Sequence, residues 1–406
     1  MKKYLFVGMS NDGQIHVVDL DSFSISHSKQ FVPQESGASV GQIRTLDNID
    51  IYVGIRKSPD TMYFRTNFNL DNLAEFIEAA SGRARTFLDL YPSQNSDEAV
   101  LYLGEQTYFA ASRNKDFELL DVVGGEGSAY PYYVPGTSDG CFYKLSKIAH
   151  DPDHDKPFLY YGGRRSLNYW YYTGIYAVPL DDMESVPNGD FKAIGHNESG
   201  ILRDDIMNWL HYVDGDGIPY MFCSGVDFPL VDPDVSAVWA MAKVRLTDPW
   251  TITRTSDNLR NDVAVPDHIA TAGTQRSNFL YDGSMYIVGS NVVDGTDIIQ
   301  RKAITIMNPD TMVVDDKYHY HEEEELSGHF ISSIVDEEEG VFYAGTSDTK
   351  LLKINLSTMD IVDHINFPGS GRVMELQFVT LMVPSPILNL SQISNKIKVG
   401  WEYDTE

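Results

Sequence analysis

Short runs of β-branched and aromatic residues, broken by Gly, Asp, Asn and Ser, recur along the whole chain. In the clearest stretch, Glu339 to Asn366, Val341-Phe342-Tyr343-Ala344 runs into Gly345 and a polar turn. Leu351, Leu352 and Ile354 follow, then a turn at Leu356-Ser357-Thr358, then Met359-Asp360-Ile361-Val362. Such runs between turn residues predict strands joined by hairpins. The same phrase opens the chain: Tyr4-Leu5-Phe6-Val7-Gly8, a turn at Ser10-Asn11-Asp12-Gly13, an alternating strand through Ile15 and Val17, then Phe23-Ser24-Ile25. A phrase shared by both ends predicts a repeat architecture that closes on itself.

The strand-ending glycine can be followed through the chain. After Gly8 come Gly54, Gly104, Gly162, Gly225, Gly289 and Gly345, at intervals of 46 to 64 residues. Units of this length match four-stranded propeller blades, which span roughly 40–50 residues plus insertions. Asp282-Gly283, Asp216-Gly217 and Glu339-Gly340 each separate two alternating runs and predict tight hairpins with positive φ. The expected fold is therefore an all-β, seven-bladed β-propeller over residues 1–383. Six or eight blades also fit, because the second and fourth units are poorly resolved. The first unit lacks an opening strand, and Val373–Val379 has no partner of its own. Pairing it beside Tyr4–Val7 would close the first blade with both termini and remove an open edge. Two segments depart from the repeat. Asn69–Ala80 carries Leu70, Leu73, Phe76 and Ile77 at helical spacing, with Asn69 as cap and Gly82 as stop, and predicts a short inserted helix. Residues 384–406 form a C-terminal extension in which Lys396, Ile397, Val399 and Trp401 mark one further strand, available to the propeller itself or to a neighbouring subunit.

The stretches Phe6–Ile25 and Phe342–Ile361 resemble the quinoprotein-like and YVTN-like blade repeats. That resemblance implies architecture rather than chemistry, because the tryptophan-docking pattern of the quinone-cofactor enzymes is missing, as are the Trp-Asp endings of other propeller repeats, and the paired glycines Gly124-Gly125 and Gly162-Gly163 do not recur in every blade. The irregular, degenerate blades also resemble propellers of bacteriophage virions and tails.

Charge narrows the partners. The 406 residues carry a formal net charge of −28, which excludes duplex nucleic acid, since that requires a basic face. Anionic membranes are disfavoured for the same reason. No run of 18 apolar residues predicts a transmembrane helix, and the apolar run after Lys2-Lys3 is too short for a signal peptide. The expected location is a virion or the cytoplasm. Cys141 and Cys223 lie in strand-like contexts and read as buried thiols.

Candidate chemistry is sparse. Asp151, Asp153 and Asp155 offer oxygen ligands for a divalent cation such as calcium, but without the spacing of a calcium loop. His319 and His321 share one face of a strand at a spacing that suits a transition metal, with no third ligand in view. Solvated turns and an edge strand explain the same residues. Tyr169, Trp170 and Tyr171 would stack on a sugar, and Arg164 and Arg165 just before them would hold an anionic group; an aromatic blade strand is the alternative. No nucleophile-elbow, Walker or dinucleotide fingerprint occurs. The expectation is a non-catalytic propeller within a larger assembly that contacts other protein subunits, with no required cofactor. A glycan or host receptor is the further candidate partner. The alternatives are a carbohydrate-binding or glycan-cleaving propeller, or a metal-dependent propeller hydrolase.

Overall fold

The computed structural model describes residues 1–32, 37–57, 60–78, 88–92, 99–103, 110–123, 142–151, 156–167, 170–179, 192–194, 206–227, 238–247, 251–254, 278–294, 297–320, 328, 330–369 and 371–381. All regular structure among them is strand. The first three strands are β1 (Lys2–Met9), β2 (Gln14–Asp19) and β3 (Ser24–Gln30). The next unit holds β4 (Ser39–Thr45), β5 (Ile51–Lys57), β6 (Asp60–Thr66) and β7 (Asn72–Glu78). Then come β8 (Leu88–Pro92), β9 (Ala99–Leu103), β10 (Ala110–Arg113) and β11 (Leu119–Val123), followed by β12 (Phe142–Asp151), β13 (Lys156–Leu167), β14 (Trp170–Pro179) and β15 (Lys192–Ile194). The last units are β16 (Ile206–Val213), β17 (Pro219–Asp227), β18 (Val238–Arg245) and β19 (Ile252–Arg254); β20 (Asn278–Tyr281), β21 (Ser284–Asp294), β22 (Asp297–Met307) and β23 (Val314–Tyr320); and β24 (Phe330–Asp336), β25 (Val341–Thr346), β26 (Lys350–Asn355) and β27 (Ile361–Asn366). β28 (Val373–Leu381) ends the described chain.

The described strands form seven four-stranded antiparallel sheets: six consecutive meanders from β4 to β27, and one ordered β28-β1-β2-β3. Side-chain burial is described in six of these; for β12–β15 only the backbone pairing is described. The first strand of each sheet neighbours the first strand of the next, from β28 to β4, β8, β12, β16, β20 and β24, and β24 returns to β28. Four-stranded meanders arranged in a closed circuit make this all-β chain a β-propeller. β28 pairs with β1 from Tyr4↔Val379 to Val7↔Leu376, the pairing that the orphan strand required.

The repeat glycine has a packing reason. A Cβ at Gly8 would lie 2.4 Å from Val40 Cγ1 on β4, and one at Gly345 would lie 2.3 Å from Val373 Cγ1 on β28. The second strand of each of these sheets thus meets the first strand of the next sheet where a side chain would collide. Opposite the glycine the first strand bulges, between Val40 and Gln42, Phe330 and Ser332, and Val373 and Glu375. Two bulge residues, Ile331 and Met374, are buried and pack on each other. Replacing Gly345 by alanine is expected to lower stability by about 1–3 kcal/mol through overpacking. Gly215→Ala, at a site with nothing within 4 Å, should leave the urea midpoint unchanged.

The helix expected over Asn69–Ala80 is a strand instead. β7 pairs with β6 from Met62↔Ile77 to Arg65↔Ala74 as the outer strand of its sheet. Only alternate residues turn inward: Ala74 and Phe76 are part-buried, whereas Leu73 and Ile77 are 46% and 49% exposed. Phe76 stacks 6.2 Å from Phe117 and lies under the Arg113 guanidinium. The local start signal was a turn. Asn67 Oδ1 accepts from Asp71 N at 3.1 Å, and Leu70, fully buried, takes a φ of 62° there. The hairpin signals mark true turns: Asp282 and Gly283 have φ of 48° and 74°, and Gly217 and Gly340 have 80° and 62°. Residues 384–406, with Lys396, Ile397, Val399 and Trp401, lie outside the described residues, as does Cys141; Cys223 is a buried free thiol.

Candidate binding cleft

At the seam where the ring closes, turns from three neighbouring sheets surround one cleft. β24 ends on Asp336, which is 1% exposed. Its carboxylate accepts two hydrogen bonds from Lys3 Nζ, at 2.9 and 3.0 Å, and one from Glu339 N at 3.3 Å. Lys3 also donates to Glu338 at 3.0 Å. Partial burial opposes the charge on Lys3, but these hydrogen bonds outweigh it and hold its pKa above the ordinary value. The β4–β5 turn supplies the second wall. Asp47 Oδ1 accepts from the backbone N–H groups of Ile49 and Asp50 at 2.8 and 2.9 Å, and Asn48 takes a φ of 61°. Asn48 Oδ1 accepts from Thr380 N at 2.9 Å, tying that turn to β28. Leu20 and Asp21, after β2, complete the rim.

The cleft has a volume of about 1150 Å³. Five carboxylates line it (Asp21, Asp47, Asp336, Glu338 and Glu339), against the ammonium groups of Lys3 and Lys353. Leu20, Ile49, Leu381 and Tyr343 supply apolar surface between them. Tyr343 is 1% exposed, with the rings of Phe23 and Phe378 each 5.9 Å away. Its hydroxyl borders the cleft and makes no hydrogen bond among the described residues. Burial, and then the carboxylates of Asp336 and Glu339, push its ionisation up, so it stays a neutral hydroxyl. The surface is thus acidic, partly apolar and preformed by hydrogen-bonded turns.

The opposite face holds the other half of the closure. Ser10 N donates to Arg372 O at 2.9 Å, and Arg372 N donates back to Ser10 Oγ at 2.7 Å. Gly13 N donates to Ala38 O, so the β1–β2 turn grips the connections on both sides. Beneath it His16 is fully buried, stacked 4.6 Å from Phe367, with Nδ1 2.6 Å from Ser28 Oγ and Nε2 without a partner among the described residues. Burial lowers the His16 pKa to about 4. The unfolded chain, with an ordinary histidine near 6.5, therefore binds more protons between these values, and stability falls as pH drops through that window. The expected loss is on the order of 3 kcal/mol, absent in His16→Phe, with denaturant midpoints measured from pH 7.5 to 4 as the check.

None of the described residues singled out in the sequence for their chemistry lines the cleft. Arg164 and Arg165 on β13 and Trp170 and Tyr171 on β14 share one hairpin, with Arg165 opposite Tyr172 and Ser166 opposite Tyr171. Tyr169 lies outside the described residues. This is a second-to-third-strand hairpin, so it belongs to the face opposite the cleft. Asp151 ends β12, while Asp153 and Asp155 fall outside the described residues. His319 lies on the outer strand β23 opposite Ala303, and His321 is beyond the described part. Among the described residues no group of three or more His, Cys, Asp or Glu could hold a metal ion, and no helix is long and apolar enough to cross a membrane. The cleft itself was not legible: Asp336 to Glu339 reads in sequence only as a charged turn.

No protein-family model matches the sequence, and no curated protein matches it. Solved structures match this chain at low identity. A europium-containing methanol dehydrogenase is 11% identical with a TM-score of 0.49, over 91% of this chain and 77% of that one. The dihydro-heme d1 dehydrogenase NirN is 12% identical with a TM-score of 0.47, over 90% of this chain; the match spans 64% of the NirN chain. Apo AztD from Citrobacter koseri is 9% identical with a TM-score of 0.45, over 93% and 99% of the two chains.

Proposed function

We propose that this chain is a non-catalytic binding propeller that takes up a basic segment of a partner protein in the acidic cleft at its closure seam. The observation that carries this is the cleft itself: about 1150 Å³, bordered by five carboxylates against two lysines, with apolar surface between them. Clustered carboxylates attract a cationic segment over a distance set by salt, and the apolar surface adds burial once it docks. The tight turns hold their geometry without a ligand, so little ordering is lost on binding. This agrees with a role as a component of a larger protein assembly. Placing that assembly in a bacteriophage virion or tail rests on the fold-level resemblance alone.

The test is a titration of the full chain with hexalysine and hexa-arginine peptides in physiological salt. Binding at one site per chain is expected, weakening with added salt, and falling at least tenfold in the triple variant Asp47→Asn/Glu338→Gln/Glu339→Gln. Binding that survives the triple variant would assign it to the general surface charge and end the proposal.

A further inference from the structure

Tyr343 adds something that the acidic rim alone does not. A hydroxyl on an otherwise buried ring is ordinarily satisfied by a protein partner or by water. The Tyr343 side chain is 1% exposed, its ring is fixed beside Phe23 and Phe378, and its hydroxyl borders the cleft without a protein partner among the described residues. Glu339, one turn away, lines the same cleft and has no ion-pair partner among the described residues. Lys3 is already committed to Asp336 and Glu338. The Tyr343 hydroxyl and the Glu339 carboxylate thus border the same cleft, and both are able to accept hydrogen bonds.

We infer that this pair is a receptor for an arginine side chain, and that the cleft selects arginine over lysine in the segment it binds. The inference rests on the proposed role of the cleft. A guanidinium is a planar fork of five donors. It can give two parallel hydrogen bonds to the Glu339 carboxylate and still direct another N–H to the Tyr343 oxygen. An ammonium is a compact, strongly hydrated point charge that must shed more water to reach a recessed hydroxyl.

Tyr343→Phe removes only the hydroxyl, which holds nothing in the protein, so the unfolding midpoint should not fall. Hexa-arginine is expected to bind the unaltered chain at least tenfold more tightly than hexalysine. In Tyr343→Phe that preference should shrink to less than threefold, through weaker binding of hexa-arginine. Glu339→Gln, on an open turn, provides a second route and should reduce the preference likewise. Equal affinities for the two peptides, or a preference untouched by both variants, would overturn the arginine receptor while leaving the basic-segment reading intact. Absence of binding by either peptide, or binding indifferent to the triple variant, would instead remove the underlying reading and this inference with it.

Discussion

Replacing Glu375 by alanine is expected to destabilise the propeller by about 3–5 kcal/mol, the usual cost of stranding one partner of a buried ion pair. Glu375 is 1% exposed on β28, and its Oε1 lies 2.6 Å from Arg44 Nη1 on β4, itself only 11% exposed. The same Arg44 nitrogen donates to Ile43 O at 2.8 Å, so the guanidinium is held in place and cannot swing to water without losing that bond. The two residues belong to the first strands of neighbouring sheets, 331 positions apart in sequence. Their pairing therefore reports on closure of the ring rather than on either sheet. Glu375→Gln keeps the shape and one acceptor, and should cost clearly less. A double variant, Arg44→Met with Glu375→Leu, should recover most of the loss, since apolar replacement of a whole buried pair is often neutral. Urea midpoints for the three variants check this, and equal midpoints for Glu375→Ala and the unaltered chain would show that the pair is solvated in solution.

A chain ended after Gly369 should fail to unfold cooperatively. It lacks β28, so β1 loses its partner from Lys2↔Leu381 to Gly8↔Glu375. Ser332 Oγ also loses its buried bond to Val373 O, and the seam cluster of Leu5, Val7, Met9 and Tyr343 loses Val373 and Leu376. An open first-sheet edge is a template for association with other chains, so aggregation on heating should accompany the loss. A chain ended after Val383 keeps β28 and should retain the cooperative transition. Adding the peptide of residues 371–383 to the shorter chain should restore it. Thermal unfolding followed by near-ultraviolet circular dichroism distinguishes these outcomes, and an unchanged transition in the shorter chain would rule out closure through β28.

Both experiments probe a feature that the sequence announced indirectly. The lone strand at Val373 and the missing first strand before Tyr4 required each other, because neither edge has another partner nearby in sequence. The paired termini follow from that. The helix expected over Asn69–Ala80 shows the opposite. Leu70, Leu73, Phe76 and Ile77 have helical spacing, but Leu70 belongs to a preceding turn, and Leu73 and Ile77 face outward. Only Ala74 and Phe76 are part-buried, in the alternation of a strand. An outer strand has one open edge and tolerates apolar residues on its exposed side, so its pattern carries less information than that of a central strand.

By itself the sequence determined the strand class, the glycine period and the need for closure, because alternation, turn chemistry and the repeat are local and survive in one dimension. Only the tertiary structure decided why the glycine is required, since Val40 and Val373 crowd Gly8 and Gly345 from neighbouring sheets. It alone joined Arg44 to Glu375 and set Lys3 against Asp336. It also formed the acidic cleft, which draws on Lys3, Asp21, Asp47, Glu338, Lys353 and Leu381 among others. Those contacts connect the two ends of the chain, and no local pattern records which distant strands a closing ring will bring side by side.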